Sequence, residues 1–327
     1  MSSRHRQIDL EAPGTTVGAD ATADDHGVHD GPTRRRWHRW RAAWPVQRVV
    51  IVVVAVLGIG VLLYPAAATW FSDHKHATDV NGYVSQVESM DSADADAQLA
   101  EARRYNESLP GGPLRDPWAL DPNGQQTAVG DGTKTYFNTL DGLAGGMMAR
   151  IRIPRIDADL PVFHGTDEDT LKQGVGHLYG SGLPVGGVGN HSVLTAHSGL
   201  VGSTLFTELH LLEAGDVFSV TVLDEVLYYE VDQILSMEPD DTDALRQDPG
   251  GDYLTLITCT PIGINTHRLL VRGERVDGPA AEEAGVVTLP SQTQEPGFPW
   301  WAVGLTVGGA IAVIATRPRR GKGTLEA

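Results

Sequence analysis

Apolar and polar positions follow two different patterns along this chain. An apolar run without any charged residue begins at Val49 and extends to Phe71, and a second run covers Trp300 to Thr316. Between the two runs, short stretches alternate apolar and polar residues, which is typical of half-buried β-strands. The pattern therefore predicts two apolar helices on either side of a mostly β domain.

The first apolar run has the length of a transmembrane helix, since about 20 apolar residues cross a bilayer. Several arginines precede it, namely Arg34, Arg35, Arg36, Arg39, Arg41 and Arg48. Because basic residues stay on the cytoplasmic side, residues 1–48 are predicted to be a disordered cytoplasmic tail and residues 49–71 a transmembrane helix. A cleaved signal peptide is the alternative, because the alanines at 66–68 resemble a cleavage site. The long tail before the run favours a retained anchor.

The second apolar run is predicted to be a transmembrane helix over residues 300–316. Trp300 and Trp301 would lie at one membrane interface, and residues 317–327 would form a basic cytoplasmic tail. A buried helix of a soluble domain is the alternative, but the basic residues directly after the run argue against it. With both ends in the cytoplasm, the protein is predicted to reside in the cell membrane with its middle domain outside the cytoplasm.

The region between the spans changes its pattern near residue 149. Residues 72–148 are predicted to hold an N-terminal helix, from Asp79 to Leu109, and then a loop rich in Gly and Pro. Within residues 149–277, strands are predicted at 149–156, 159–165, 190–197, 216–223, 225–237, 252–259 and 267–276. Asp224 and Glu225 are predicted to form a tight hairpin turn. Short strands without regular helices between them predict a closed barrel or a sandwich, and residues 278–299 are predicted to be a linker.

Charge and composition exclude several classes of function. The formal net charge of -17 gives an acidic surface that repels nucleic acid, so no nucleic-acid partner is expected. The sequence has no Gly-rich phosphate loop that follows a strand and opens a helix. It also lacks His, Asp and Glu residues clustered at the spacing of metal ligands. Neither a cofactor nor a metal is therefore expected.

The chain has a single cysteine, Cys259, in the stretch "DYLTLITCTP". Pro261 and Gly263 break the strand directly after it, so the thiol is predicted to lie where the strand leaves the core. Catalytic groups are common at such loop edges. The alternative is a small buried apolar residue, which describes most single cysteines. Predicted export favours the reactive interpretation, because an idle thiol outside the cell is open to oxidation.

A nucleophilic thiol needs a nearby cation or imidazole. The candidate histidines are His164, His177, His191, His197, His210 and His267. His197 ends a strand, as Cys259 does, whereas His191 lies at the opposite end of that strand, roughly 20 Å away. Arg268 begins the next strand and would return beside Cys259 if the two strands pair antiparallel. The residues alone thus indicate a possible Cys/His/Arg site.

Three motifs extend this picture beyond the single residues. "TCTPIGINTHRLLVRG" places an arginine nine residues after the cysteine of "TLITC", and "LPVGGVGNHSVLTAHSGL" contains His197. Over about residues 75–277 these motifs resemble the sortase family, and the "DPW" at 116–118 is similar to the lid motif of class C, pilus-assembling sortases. The resemblance implies the sortase-type closed β-barrel with short helices, an N-terminal helix and a lid loop, flanked by the two transmembrane helices.

The same resemblance implies a cysteine transpeptidase that acts on LPxTG-like sorting signals of pilin subunits. Cys259 would attack the Thr–Gly carbonyl, His197 would protonate the departing amine and later deprotonate the incoming one, and Arg268 would stabilise the oxyanion. The incoming amine in class C is a pilin lysine, so the product is an isopeptide-linked polymer. Thr258 and Thr260 flank the thiol and are candidates for substrate positioning.

In class C lids, an Asp and an aromatic residue occupy the active-site groove. The resemblance therefore implies that Asp116 approaches Arg268 and that Trp118 covers Cys259, with Pro117 between them. A plain surface turn is the alternative, because "DPW" suits turns well. Two positions depart from the family pattern. Ser198 stands where a basic residue is common, and Ala196 stands where glycine is expected.

The C-terminal end suggests a different class of protein. "LPSQTQEPG" at 289–297, followed by the apolar run and the basic tail, resembles the layout of a sortase substrate. A surface structural protein that is itself sorted is therefore the alternative. Thr293 stands one place too late for a sorting signal, and Gln294 stands where glycine would be. This alternative also leaves the Cys/His/Arg set unexplained, as would a catalytically inactive binding module of the same fold.

Overall fold

The computed structural model describes residues 46–109, 133–239, 241, 243–246, 249–278 and 292–317. The helices are α1 (Val46–Glu88), α2 (Ser92–Glu107), α3 (Thr133–Asn138), α4 (Glu168–Gln173) and α5 (Trp300–Ala315). The strands are β1 (Met147–Ile153), β2 (Ala158–His164), β3 (Val175–His177), β4 (His191–Thr195), β5 (Val217–Val222), β6 (Glu225–Met237), β7 (Tyr253–Thr260) and β8 (His267–Val276).

The strands close into a barrel in the order β1-β2-β3-β4-β7-β8-β6-β5. Two pairs of neighbours are parallel, β2 with β3 and β4 with β7. The other pairs are antiparallel. A closed barrel leaves no edge strand open to other chains. The prediction of a mostly β closed barrel with short helices is confirmed.

The strand boundaries differ from the predictions where turns intervene. The strand predicted over 149–156 ends at Ile153, because Pro154 starts a short 3-10 turn. β3 was not predicted, since three residues around Gly176 are too few to show a period. The hairpin turn lies one residue earlier than predicted. Leu223 adopts a left-handed φ of 53°, and Glu225 already pairs with Val222.

Alternate side chains of the barrel wall face opposite sides. On β7, Leu254 and Leu256 belong to the main apolar core, whereas Ile257 belongs to a second, smaller cluster. Because strand neighbours alternate, the second cluster marks the outer face of this part of the wall. Its buried members are Leu178, Val193, Leu245, Ile257 and Leu270.

The N-terminal helices complete the main core. α1 passes unbroken from its apolar part to Glu88, beyond the span predicted at 49–71. The helix predicted from Asp79 to Leu109 is divided in two, because the Asp91 carboxylate accepts a hydrogen bond from the amide of Ala93 and begins a new helix, α2. Buried residues recur at helical spacing on both helices, namely His76, Ala77, Val80 and Tyr83 on α1 and Ala95, Leu99 and Ala102 on α2.

Within the described residues, α1 is long and apolar enough to cross a membrane, while α5 is apolar but has only 16 residues. The two helices lie against each other through small residues of α5. A Cβ atom at Gly304 would lie 3.4 Å from Cδ1 of Leu63, and one at Gly308 would lie 2.8 Å from Cδ1 of Ile59. Glycines four residues apart let apolar helices approach closely in membranes.

The segment before α5 is bound to both α1 and the barrel through Thr293. Its backbone N–H donates to Oδ1 of Asn81 at 2.7 Å, and its carbonyl accepts from Nδ2 of the same side chain at 3.2 Å. Its hydroxyl contacts Arg150 and Asp159, each at 3.0 Å. Arg150 is buried and also forms an ion pair with Asp159 at 2.5 Å. The threonine of the LPSQT stretch is therefore held against the barrel wall.

Candidate active site

The ends of β7 and β8 place the thiol beside the guanidinium. The two strands are antiparallel neighbours, and Cys259 is the direct partner of Arg268 in their register. Directly opposite residues have Cβ atoms about 5 Å apart and side chains on the same face. Cys259 follows Ile257 by two residues, and Arg268 precedes Leu270 by two, so both lie on the outer face of the wall. Cys259 is 8% exposed.

β4 brings His197 to the same place from another part of the chain. β4 and β7 are parallel in a register that pairs Thr195 with Ile257, and two residues further along each chain are His197 and Cys259. Two hydrogen bonds hold the chains together beyond the strand. The amide of Ala196 donates to the Ile257 carbonyl at 3.2 Å, and the Ser198 hydroxyl donates to the Cys259 carbonyl at 2.5 Å. Alternation therefore places the imidazole on the outer face at the level of the thiol.

The imidazole of His197 is half-buried, and this burial lowers its pKa below the usual value. The carboxylate of Glu168 on α4 acts in the opposite direction, while the ammonium of Lys172 adds to the lowering. At neutral pH the imidazole is therefore mainly neutral, the form that accepts a proton.

Backbone carbonyls of the β7–β8 loop orient the guanidinium of Arg268. Its Nη1 donates to the carbonyl of Asn265 at 3.2 Å and to that of His267 at 3.3 Å. The side chain is buried, at 8% exposed. A guanidinium stays charged at all relevant pH values, so this arrangement fixes a permanent positive charge next to the thiol. Such a charge stabilises a thiolate or an oxyanion.

The two flanking threonines occupy different positions. Thr258 is buried, lies on the face opposite Cys259 by strand alternation, and donates its hydroxyl to the Ala196 carbonyl at 2.8 Å. Its side chain thus connects β7 to the end of β4. Thr260 is half-buried at the strand end, opposite His267. Sequence reasoning treated Ser198 only as a departure from the family, whereas its hydroxyl binds the cysteine carbonyl.

The other candidate histidines are either enclosed in the fold or exposed. His177 is buried and hydrogen-bonded to the Tyr136 hydroxyl and the Gly182 carbonyl. His191 is also buried and is hydrogen-bonded to the Thr255 hydroxyl and the Arg246 carbonyl. His164 is bonded to the Thr139 carbonyl at 2.8 Å. His210 and His267 are exposed. His267 lies at the start of β8 next to Arg268, where strand alternation places its side chain on the face opposite to that of Arg268 and Cys259. His197 is thus the candidate that the strand register carries to the thiol.

The burial of His177 makes the stability of the fold sensitive to acid. Burial lowers the pKa of His177 to about 4, from a value near 6.5 in an unfolded chain. Between these pH values the unfolded state binds the proton more readily than the folded state. The contribution of His177 to the free energy of unfolding is therefore fully present above about pH 6.5 and falls by roughly 3 kcal/mol towards pH 4. We expect the melting temperature of the detergent-solubilised chain to fall over this range, with a shallower slope for His177→Gln. An equal slope in both proteins would contradict this prediction.

Within the described parts of the chain, no group of three or more His, Cys, Asp or Glu residues is arranged to hold a metal ion. The predicted lid residues Asp116, Pro117 and Trp118 lie outside the described residues. The site, as far as it is described, consists of a thiol, an imidazole and a guanidinium at adjacent strand ends. These are the groups of a covalent acyl transfer.

Comparison with known proteins identifies the fold. The family model of the sortase domain matches residues 151–276. Sortase D of Bacillus subtilis (strain 168) is 32% identical over 146 residues, which cover 44% of this chain and 69% of that protein. The chain belongs to the sortase family. Sortase A of Streptococcus agalactiae is 31% identical over 127 residues, and the match spans about half of that protein, 51%.

Solved structures similar to this sortase include class C enzymes. Sortase C-1 from Actinomyces oris is 48% identical, with 56% of this chain and 99% of that chain covered and a TM-score of 0.52. Sortase C from Streptococcus pneumoniae is 39% identical, with 60% and 94% covered and a TM-score of 0.53. The resemblance seen in the sequence is confirmed. Sortases are cysteine transpeptidases, and this sortase is one of them, with pilus sortases among its structural neighbours.

Proposed function

We propose that this sortase is a membrane-anchored pilus-assembly enzyme that joins pilin subunits. It cleaves LPxTG-like sorting signals between Thr and Gly and transfers the acyl group to a lysine of another pilin. The observation that carries the proposal is the convergence of Cys259, His197 and Arg268 on one face at adjacent strand ends. The structural neighbours from Actinomyces oris and Streptococcus pneumoniae are named sortase C-1 and sortase C, and these names support the pilus assignment.

In the first half-reaction Cys259 is the nucleophile. The neutral imidazole of His197 first takes the thiol proton. The resulting thiolate attacks the threonine carbonyl, a C–S bond forms, and the carbonyl oxygen becomes an oxyanion beside the Arg268 guanidinium. The protonated imidazole of His197 then gives its proton to the glycine nitrogen as the C–N bond breaks. A thioester on Cys259 and a free glycine amine result. His197 is left neutral, the form that its burial favours.

In the second half-reaction the neutral imidazole acts as the base. The lysine amine attacks the thioester carbonyl, and His197 accepts the proton that the amine loses. Arg268 again faces the oxyanion. The C–S bond breaks as an isopeptide bond forms, and the thiolate and imidazolium are restored, so protons balance over the cycle.

Two apolar helices would hold the catalytic domain at the membrane. In this proposal the arginines before residue 49 stay in the cytoplasm, α1 crosses the bilayer over residues 49–71, and α5 returns through it. Residues 149–277 then form the catalytic barrel outside the cytoplasm, joined to α5 by the linker at 278–299. The contact of α5 glycines with Leu63 and Ile59 supports a paired arrangement of the two helices.

The "DPW" at 116–118 is proposed to be a lid over the site. A related solved structure, 45% identical, is described as a lid mutant of sortase A from Corynebacterium diphtheriae. We expect Trp118→Ala to speed the reaction of Cys259 with a maleimide, because an aromatic ring over the thiol slows access of the reagent. Trp300→Ala, a change in the membrane helix, is the control and should leave the rate unchanged. Equal rates in wild type and Trp118→Ala would exclude this lid.

Trapping of the acyl-enzyme tests the proposed reaction. The detergent-solubilised chain is incubated with an LPxTG-type peptide in the absence of an amine acceptor. The reaction is quenched in acid, and the mass of the intact protein is measured by mass spectrometry. We expect a mass increase equal to the peptide up to its threonine, located on the tryptic fragment that contains Cys259 and removed by hydroxylamine. Addition of a pilin lysine peptide should discharge it. An adduct on another residue would contradict the proposal, as would none in a correctly folded sample.

A further inference from the structure

The loop that follows His197 reaches the apolar part of α1. A Cβ atom at Gly202 would lie only 2.5 Å from the Cβ of Ala68, so the two backbones are in close contact. One turn further along α1, the hydroxyl of Ser72 donates to that of Ser203 at 2.9 Å. Ala68 belongs to the uncharged stretch at 49–71. The catalytic end of the barrel thus touches the helix at the outer end of its apolar segment.

Aromatic residues indicate the depth of this contact. Trp70, Phe71 and Trp301 contact one another with ring centroids 5.1 to 6.3 Å apart. Tryptophans at helix ends are typical of the membrane–water interface. Ala68 precedes Trp70 by two residues, which is about 3 Å along a helix. The loop therefore meets α1 at the level of these aromatic rings, from Ala68 on their membrane side to Ser72 on the other.

Two exposed loops at this end are apolar and carry no charge. Residues 198–203 read "SGLVGS" and residues 261–266 read "PIGINT", and neither stretch contains Asp, Glu, Lys or Arg, although 20% of the chain is charged. We call these two stretches the rim loops. They touch each other, since a Cβ atom at Gly199 would lie 2.3 Å from Cγ2 of Ile262. Their exposed apolar side chains are Leu200 (37%), Val201 (66%), Ile262 (48%) and Ile264 (68%).

The opposite end of the same strands has a different character. Val188 precedes β4 there and is 85% exposed. The charged side chains that line the surface around it are Arg103, Glu225, Asp252, Glu274, Arg275 and Asp277. The two uncharged apolar loops are thus a feature of the catalytic end, where α1 also attaches, and the exposed ion pair of Glu168 and Lys172 lies near His197 outside them.

We propose that the rim loops insert into the outer interface of the lipid bilayer, so that Cys259 operates at the membrane surface. This inference rests on the membrane anchoring proposed above. The observations that carry it are contact with α1 at the level of the aromatic rings, four exposed apolar side chains and the absence of charge within the two rim loops. Apolar side chains flanked by neutral backbone are suited to the headgroup boundary of a bilayer.

Depth-dependent quenching of a fluorescent probe tests the insertion. Because Cys259 is the only cysteine, Cys259→Ala provides a background into which Val201→Cys or Ile264→Cys is introduced and labelled with the NBD fluorophore. The full chain is reconstituted in vesicles of phosphatidylcholine and phosphatidylglycerol, with or without doxyl-labelled lipid. We expect blue-shifted emission at both positions. We also expect lipid with a doxyl group near its headgroup to quench the probe several-fold more strongly than a water-soluble doxyl compound does.

Two control positions separate this inference from the anchoring on which it rests. Val61→Cys lies in α1 and is 74% exposed, so its probe should be quenched by deep doxyl groups. Val188→Cys lies at the charged end and should show neither the blue shift nor the quenching. Quenching at position 61 without quenching at 201 and 264 would overturn the inference and leave the anchoring intact. Equal quenching at 188 and 201 would also overturn it, and no quenching at 61 would refute the anchoring itself.

Discussion

Cys259→Ala is expected to lose peptidyl transfer by roughly 10⁶-fold, the scale of loss when an enzyme's nucleophile is removed. No other residue of the chain carries a thiol, and the acyl group must be held covalently while glycine leaves and the lysine enters. Cys259→Ser should be nearly as inactive, because a hydroxyl is far less ionised than a thiol at neutral pH. The measurement is formation of pilin polymer and of hydrolysed peptide by the reconstituted chain.

The loss must be distinguished from a folding defect. Cys259 is a small residue at a strand end, with 8% of its surface exposed, so its truncation should cost about 1 kcal/mol of stability. The melting temperature of Cys259→Ala and its incorporation into vesicles should therefore remain close to those of the wild type. Substantial polymer formation by a folded Cys259→Ala variant would remove Cys259 from the mechanism.

Arg268→Lys is the second change with a large expected effect. The substitution keeps the positive charge but removes the planar group whose Nη1 binds the Asn265 and His267 carbonyls. We expect kcat to fall by about 10² to 10³, the cost of losing one oxyanion donor, with little change in KM. Steady-state cleavage of an LPxTG-type peptide measures both constants.

Arg272→Lys is the matched control for this prediction. Arg272 is on the same strand and the same face, where it is paired with Asp232 and its guanidinium lies 4.4 Å from the ring centroid of Tyr253. We expect the kcat of Arg272→Lys to stay within about threefold of the wild type, because Arg272 lies four residues from Arg268 along β8, which is about 13 Å from the thiol. An Arg268→Lys variant with normal kcat and raised KM would indicate that Arg268 binds the substrate rather than the oxyanion.

Local patterns were enough to predict much of the barrel. β6 and β8 begin and end where alternation of apolar and polar residues predicted, because each strand has one face inside the core and one outside it. The position of Cys259 at a strand end followed from Pro261 and Gly263 in the same way. β3 escaped prediction, since three residues show no period, and α1 was longer than the apolar run that marked it.

The sequence by itself determined the strands, the apolar helices and the kinds of side chain available for chemistry, because each of these depends on neighbouring residues. Only the tertiary structure decided that β4 lies parallel and next to β7, which carries His197 to Cys259. The pairing of strands distant in the chain depends on closure of the whole barrel and leaves no local signal. The contact of Gly202 with Ala68 has the same origin, and so only the folded chain joins the catalytic end to the apolar helix.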